Sequence, residues 1–208
     1  MTTSASFGAF NFSTVPHIVS EIGAARKIGS LVAQHFSKVR RALIVTDGGF
    51  LKTGLVDAPI ASLREAGLQV SIFSDVVADP PEAVVLKAVD DARKAEVDLV
   101  IGLGGGSSMD VAKLIAVLAG SDQELKTMYG IGNVKGSRLP LVQVPTTAGT
   151  GSEVTPISIV TTGATTKMGV VSPQLYADLA VLDAELTVGL PPKVTAATGI
   201  DAMVHAIE

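Results

Sequence analysis

Residues 97–113 read VDLVIGLGGGSSMDVAK, an apolar strand followed by a run of glycines and then by a helix that begins near Ser107. Glycines let a ligand approach the backbone without a Cβ clash, and the free N–H groups at a helix N-terminus favour an anion. The pattern is neither G-x-G-x-x-G nor the Walker sequence, because Ser107 replaces the third glycine and no Gly-Lys-Ser/Thr occurs. We interpret it as a phosphate-binding junction between a strand and a helix. The alternative is a tight turn, for which one glycine would be enough.

The chain around this junction alternates between short β-branched runs and stretches with helical periodicity. The strand-like runs are 41–46, 68–73 and 97–101, and the helical stretches are 18–36, 51–66 and 81–95. This alternation is typical of βαβ units, and near-continuous apolar strands imply a parallel sheet covered on both faces. Ligands of such sheets bind beyond the carboxyl ends of the strands. We therefore predict a Rossmann-like α/β fold with its site in the loops that follow the strands.

From residue 139 the pattern changes. Strand-like runs at 139–144, 155–161, 167–171 and 179–182 are separated only by turn residues, which predicts a β-hairpin extension with its clearest turn at 162–165. The pattern becomes helical again over residues 193–208. We therefore divide the chain into an α/β domain, residues 1–187, and the start of an all-helical domain, residues 188–208.

The composition argues against several classes of protein. With 208 residues, of which 47% are hydrophobic, the chain can form one substantial core, and its net charge of −4 with scattered basic residues gives no footprint for a nucleic-acid partner. The lack of cysteine excludes disulfides, cysteine-ligated zinc and thiol catalysis. The N-terminus does not read as a secretory signal, and the apolar runs are too short for a membrane span. We expect a cytoplasmic protein that binds a small molecule.

Two further segments are candidates for nucleotide binding. Residues 144–155, VPTTAGTGSEVT, leave a strand with hydroxyl groups that can clasp a pyrophosphate or a ribose, although such loops are also ordinary turn material. Asp47 ends the strand at 41–46, where a carboxylate can accept hydrogen bonds from both hydroxyls of an adenosine ribose and would repel a 2′-phosphate. The alternative for Asp47 is a role in forming a turn.

Asp201 and His205 lie four residues apart in the last predicted helix and therefore project from one face. A carboxylate and an imidazole suit a divalent ion such as Fe, Zn or Mn, but most catalytic metal sites use three or four protein ligands. Taken alone, such a pair is more often a solvated helical pair or a packed histidine than a metal site. The other histidines, His17 and His35, are interpreted as surface or packing residues.

Three ordered motifs, at residues 104–113, 145–155 and 199–208, together resemble the iron-containing (metal-dependent) alcohol dehydrogenase family. Residues 167–173 and 179–183 are also similar to the family pattern. The resemblance implies a dehydroquinate synthase-like architecture. In it, an N-terminal NAD(P)-binding α/β domain and a C-terminal helical domain enclose a cleft that holds the cofactor and a metal.

Carried over residue by residue, the resemblance implies that Asp47 binds the adenosine ribose and that Lys167 faces the cofactor. The positions that would bind the pyrophosphate and the nicotinamide side of the cofactor are Gly104, Gly105, Gly106, Ser107, Asp110, Thr146, Thr147 and Thr150. Asp201 and His205 match the first two metal ligands, with iron expected before zinc or manganese. The remaining two ligands of the family are histidines that this chain does not contain.

One position departs from the family pattern. Many members have an asparagine where this chain has Asp79, before Pro80. The expected contacts to adenine are therefore in doubt, and a second carboxylate near the adenosine would further disfavour NADP.

The resemblance implies an NAD-dependent alcohol dehydrogenase that acts on a small primary alcohol, a diol or the corresponding aldehyde. The alternatives are a maleylacetate reductase or hydroxyacid-oxoacid transhydrogenase relative, and a stand-alone NAD-binding module without catalysis. We expect the 208-residue chain by itself to bind cofactor weakly, to lack activity, and to form a homo-oligomer through the apolar face of its last helix.

Overall fold

The computed structural model describes residues 9–207. Its strands are β1 (His17–Ser20), β2 (Arg41–Asp47), β3 (Gln69–Val76), β4 (Leu99–Gly104), β5 (Gly130–Ile131), β6 (Leu141–Pro145), β7 (Ile157–Thr162), β8 (Thr166–Val171) and β9 (Leu179–Leu182). Six of them form one parallel sheet in the order β1-β9-β6-β4-β2-β3. The Rossmann-like fold class with a dehydroquinate synthase-like architecture is therefore confirmed.

Helices cover both faces of this sheet. They are α1 (Ile28–His35), α2 (Gly48–Leu51), α3 (Asp57–Glu65), α4 (Glu82–Lys94), α5 (Gly106–Ala119) and α6 (Pro192–Ile207). One core lies between the sheet and α4 and α5, and a second lies between the sheet and α1 and α3. In β2, Leu43 and Val45 enter the first core, whereas Ala42 and Ile44 enter the second. The strand is apolar throughout because both of its faces are buried.

The hairpin of β7 and β8 is confirmed as an antiparallel pair that places Thr162 opposite Thr166, with Gly163 in the turn at φ 59°. β5 adds to β8 in a separate three-stranded sheet. The prediction that runs 139–144 and 179–182 belong to the hairpin extension is wrong, because β6 and β9 are neighbours in the main parallel sheet. Apolar alternation indicates a strand but does not specify its partner, which depends on where the chain returns to the sheet.

Two of the predicted helices are interrupted. Residues 18–36 contain β1, a 3-10 turn at Ala24–Lys27 and only then α1, and Gly23 breaks the segment at φ 79°. Residues 51–66 contain the end of α2 and then α3, with Gly54 at φ 76° between them. A residue with a left-handed backbone ends a helix. In the sequence, however, the helical spacing of apolar residues continues across both glycines. Periodicity alone therefore overestimated the lengths of these helices.

Helix α6 lies on the α/β unit with no buried side chain among its described residues, and Ile200, Met203 and Ile207 are exposed. The loop after β6 approaches it closely, since a Cβ on Gly149 would lie 2.0 Å from the carbonyl oxygen of Thr198. The backbone of this loop and the backbone of α6 therefore approach each other closely at Gly149. The division at residues 187 and 188 remains a prediction. No helix within residues 9–207 is long and apolar enough to cross a membrane.

Candidate functional site

A cleft of about 430 Å³ opens beside the N-terminus of α5, between the hairpin and α6. It brings together residues from four separate segments that the sequence had singled out. The predicted site residues that line it are Gly106, Ser107, Asp110, Thr150, Lys167, Asp201 and His205. The remaining ones, which lie outside this lining, are Asp47, Gly104, Gly105, Thr146 and Thr147. The cleft therefore joins the glycine-rich motif to the carboxylate and imidazole of α6.

The glycine loop leaves the first turn of α5 open toward this cleft. Gly105 is the N-cap, and its extended backbone provides no side-chain hydrogen bond to the helix. A Cβ on Gly105 would lie 3.6 Å from Thr147 Cγ2, and one on Gly106 would lie 3.2 Å from Thr150 Cγ2. The glycine loop and the hydroxyl-rich loop therefore face each other at van der Waals distance. Gly104 instead serves packing, because a Cβ there would be 2.6 Å from Ser108 Oγ.

The hydroxyl-rich loop is fixed to the sheet at its first residue. The Thr146 N–H donates to the carbonyl of Gly104 at 3.0 Å, and Thr146 is buried. The Thr147 Oγ1 atom is buried without a hydrogen-bond partner among the described residues, close to Gly105. Buried hydroxyls are normally paired, so this one is suited to an oxygen of a ligand at the glycine loop. The uncapped helix and this hydroxyl fit the pyrophosphate of a dinucleotide.

Asp47 has a defined structural role at the end of β2. Its Oδ1 accepts hydrogen bonds from the N–H groups of Gly49 and Phe50, each at 2.9 Å, and so caps α2. Capping uses only one carboxylate oxygen, and Oδ2 takes no part in it. The alternative role of Asp47, in forming a turn, is therefore observed and is carried out by its Oδ1 atom. The contact of Asp47 with a ribose remains a prediction.

Sequence reasoning missed Lys113, which is fully buried one helical turn after Asp110. Its ammonium donates to Ser152 Oγ at 2.8 Å and to the Ile157 carbonyl at 2.6 Å, and lies 3.6 Å from Asp110 Oδ1. Asp110 in turn accepts from Ser152 Oγ at 2.7 Å and from the Ile159 N–H at 3.0 Å. The network ties α5 to both the hydroxyl-rich loop and β7. A lysine inside the otherwise apolar stretch 111–119 of α5 was the signal that could have revealed it.

Burial shifts both charged groups of this network toward their neutral forms. Burial raises the pKa of Asp110, although Lys113 and the hydrogen bond from Ser152 oppose the shift. Burial lowers the pKa of Lys113 from 10.5 to about 8, with Asp110 opposing. Burial therefore disfavours the charged forms of both side chains, and the ion pair and the hydrogen bonds favour them.

The lowered pKa of Lys113 predicts a pH-dependent stability. Between pH 8 and 10.5 the unfolded chain binds more protons at this group than the folded chain, so its contribution to the free energy of unfolding rises with pH. Below pH 8 the buried ammonium lowers the free energy of unfolding by roughly 3 kcal/mol, and this penalty is relieved as the pH rises from 8 to 10.5. Urea unfolding across this range should show the rise in the wild type and not in Lys113→Met. If the free energy of unfolding changed equally with pH in the two proteins, this prediction would be contradicted.

Lys167 and Asp79 meet at the rim of the cleft. The ammonium of Lys167, on β8, lies 2.7 Å from Asp79 Oδ1 in the loop between β3 and α4, and both side chains are exposed. Asp79 has a left-handed backbone with φ 52°. The departure from the family pattern therefore places a carboxylate on the predicted cofactor-facing lysine.

Asp201 and His205 lie on one face of α6 and line the cleft, with His205 Nε2 at 3.5 Å from Asp201 Oδ1. Within residues 9–207 no group of three or more His, Asp or Glu side chains is arranged to hold a metal ion. The carboxylate of Asp201 and the imidazole of His205 are donor types that suit a divalent metal, and a complete site would need further ligands. His17 and His35 are remote from the cleft lining and lie with ring centroids 4.6 Å apart, in agreement with a packing role.

Comparison with known proteins agrees with this arrangement. The family model for iron-containing alcohol dehydrogenases matches residues 16–184. Long-chain-alcohol dehydrogenase 1 of Geobacillus thermodenitrificans is 48% identical over 172 residues, which cover 81% of this chain and 43% of that protein. The chain spans about half the length of the curated relatives it matches.

Solved structures give the same result. A 1,3-propanediol oxidoreductase superposes with a TM-score of 0.91 at 33% identity, covering 97% of this chain and 52% of that one. A sulfoacetaldehyde reductase of Bifidobacterium kashiwanohense in complex with NAD+ superposes with a TM-score of 0.89 at 32% identity, covering 97% and 53%. This chain is therefore a member of the iron-containing alcohol dehydrogenase family.

Proposed function

We propose that this chain is the NAD-binding half of an alcohol dehydrogenase that interconverts a small primary alcohol or diol and its aldehyde. One observation carries the proposal: the uncapped N-terminus of α5 opens into the same cleft as Asp201 and His205. An anion-binding helix terminus and a pair of metal-ligand side chains on one cleft bring a dinucleotide and a metal to the same place.

The roles of the chain's own groups follow from their positions. The N–H groups of Gly106 and Ser107 bind the pyrophosphate, and the Thr147 hydroxyl donates to one of its oxygens. Asp47 accepts from the hydroxyls of the adenosine ribose through Oδ2 while Oδ1 keeps its capping bonds. Asp110 and Lys113 support the site by holding α5 against the hydroxyl-rich loop and β7.

Asp201 and His205 would supply two ligands of a divalent metal, with iron preferred to zinc or manganese on the strength of the family. A metal held there would supply Lewis-acid polarisation of the alcohol oxygen for hydride transfer to the nicotinamide of NAD. The retained pair argues against the metal-free branch represented by maleylacetate reductases. The relatives named above act on long-chain alcohols, 1,3-propanediol and sulfoacetaldehyde, so a shared cofactor half is compatible with very different substrates.

Calorimetric titration of NAD and NADP into the 208-residue chain, with and without Zn²⁺, tests the cofactor role. We expect saturable NAD binding that is independent of the metal, and weaker NADP binding because the Asp47 carboxylate repels a 2′-phosphate. Asp47→Asn keeps a capping oxygen and should reduce the difference in binding affinity between NAD and NADP. Absence of NAD binding would overturn the proposal, while NAD binding with equal NADP affinity would remove the role of Asp47 alone.

A further inference from the structure

The ion pair of Asp79 and Lys167 closes one edge of the cleft. It connects two elements that are distant in sequence, the loop between β3 and α4 and the hairpin strand β8. Both side chains line the cleft, and both are more than half exposed, at 65% for Asp79 and 56% for Lys167. The pair is therefore accessible to a ligand and can be opened without disturbing the core.

The backbone holds the Asp79 carboxylate in place. Asp79 has a φ of 52°, its carbonyl accepts from Thr161 Oγ1 at 2.9 Å, and the Pro80 carbonyl accepts from the Thr161 N–H at 2.9 Å. The segment is thereby fastened to β7, next to the strand that carries Lys167. The short aspartate side chain is the fixed partner of the pair, and the long lysine side chain is the mobile one.

The charges in the cleft favour competition for Lys167. Its lining contains the carboxylates of Asp79, Asp110 and Asp201, against the single ammonium of Lys167. Asp110 is paired with the buried Lys113, so an entering pyrophosphate is attracted by Lys167 and by the N-terminus of α5 and is repelled chiefly by the carboxylates of Asp79 and Asp201. While Lys167 is paired with Asp79, that attraction is largely neutralised.

We propose that Asp79 and Lys167 form a latch that opens on dinucleotide binding, as the Lys167 ammonium exchanges the Asp79 carboxylate for the pyrophosphate. This inference depends on the proposed cofactor role of the cleft. Asp79 then sets the affinity for NAD through Lys167 and is itself a positioning residue. The latch predicts that an aspartate at this position lowers the affinity for NAD without touching the cofactor.

A double-mutant cycle tests the latch. NAD is titrated into the wild type, Asp79→Asn, Lys167→Met and the double variant, at low and high salt. Asparagine tolerates a left-handed backbone, so Asp79→Asn changes the charge and leaves the loop intact. We expect Asp79→Asn to tighten NAD binding about fivefold at low salt, less at high salt, and by under about twofold in the Lys167→Met background.

The matched control is Asp75→Asn, which breaks another exposed aspartate–lysine pair, with Lys87, whose members do not line the cleft. It should leave NAD affinity unchanged. An equal gain from Asp79→Asn with and without Lys167 would overturn the latch, because the carboxylate would then act by direct repulsion. An NAD affinity that is unchanged in Asp79→Asn would also overturn the latch, but it would leave the cofactor role intact. A wild type that binds no NAD would overturn both.

Discussion

Replacing Lys113 with methionine is expected to lower the free energy of unfolding by about 1–3 kcal/mol at pH 7, because the hydrogen bonds of its amine to Ser152 and Ile157 are lost. Methionine fills a similar volume but leaves Asp110 buried without its countercharge, and leaves the Ile157 carbonyl without its donor. The unpaired carboxylate must then protonate or draw in water. Urea unfolding followed by circular dichroism measures the change.

A double variant and a control variant distinguish the loss of the ion pair from the general effect of replacing a lysine with methionine. Asp110→Asn combined with Lys113→Met removes both charges and should recover part of the lost stability, since a buried pair often costs little when both partners are replaced. Lys38→Met, at an exposed lysine, should change stability by less than about 0.5 kcal/mol. If Lys113→Met proved as harmless as Lys38→Met, the network would not hold the two loops together.

Gly106→Val is expected to weaken NAD binding by about tenfold to 150-fold while leaving the fold intact. A Cβ at this position meets Thr150 Cγ2 at 3.2 Å and enters the cleft over the first turn of α5. The added methyl groups keep the pyrophosphate away from the helix N–H groups. Loss of one such charge-assisted hydrogen bond costs about 1.5–3 kcal/mol.

Gly189→Val is the matched control, because Gly189 is exposed and a Cβ there meets no atom within 4 Å. Both variants should unfold close to the urea midpoint of the wild type. Calorimetry should then show NAD affinity lost in Gly106→Val only. Wild-type affinity in Gly106→Val would mean that the dinucleotide binds elsewhere than at the glycine loop.

The strand–helix junction predicted from the glycine motif is confirmed, because coupling a strand end to a helix N-terminus is a local arrangement. The helix predicted near Ser107 begins at Gly106, and the loop opens into the cleft. The i, i+4 spacing of Asp201 and His205 likewise fixed a local geometry that the structure confirms at 3.5 Å. Side chains spaced by one helical turn lie on one face of the helix whatever the rest of the fold.

Properties that depend on distant partners were not readable in this way. Lys113 appeared only as the end of a motif, because its acceptors are about 40 residues away along the chain. Asp79 was recognised as unusual, but its pairing with Lys167, 88 residues later, follows from the packing of the hairpin against the loop. The same reason explains why β6 and β9 were assigned to the wrong sheet.

By itself, then, the sequence determined the fold class, the family and the positions of the glycine loop and of the Asp201–His205 pair, since each follows from spacing within one segment. Only the tertiary structure decided that these segments share one cleft, that Lys113 supports it from the core and that Asp79 pairs with Lys167 at its rim. The physical reason is that burial and electrostatic pairing depend on distances through space, whereas a motif records only distances along the chain.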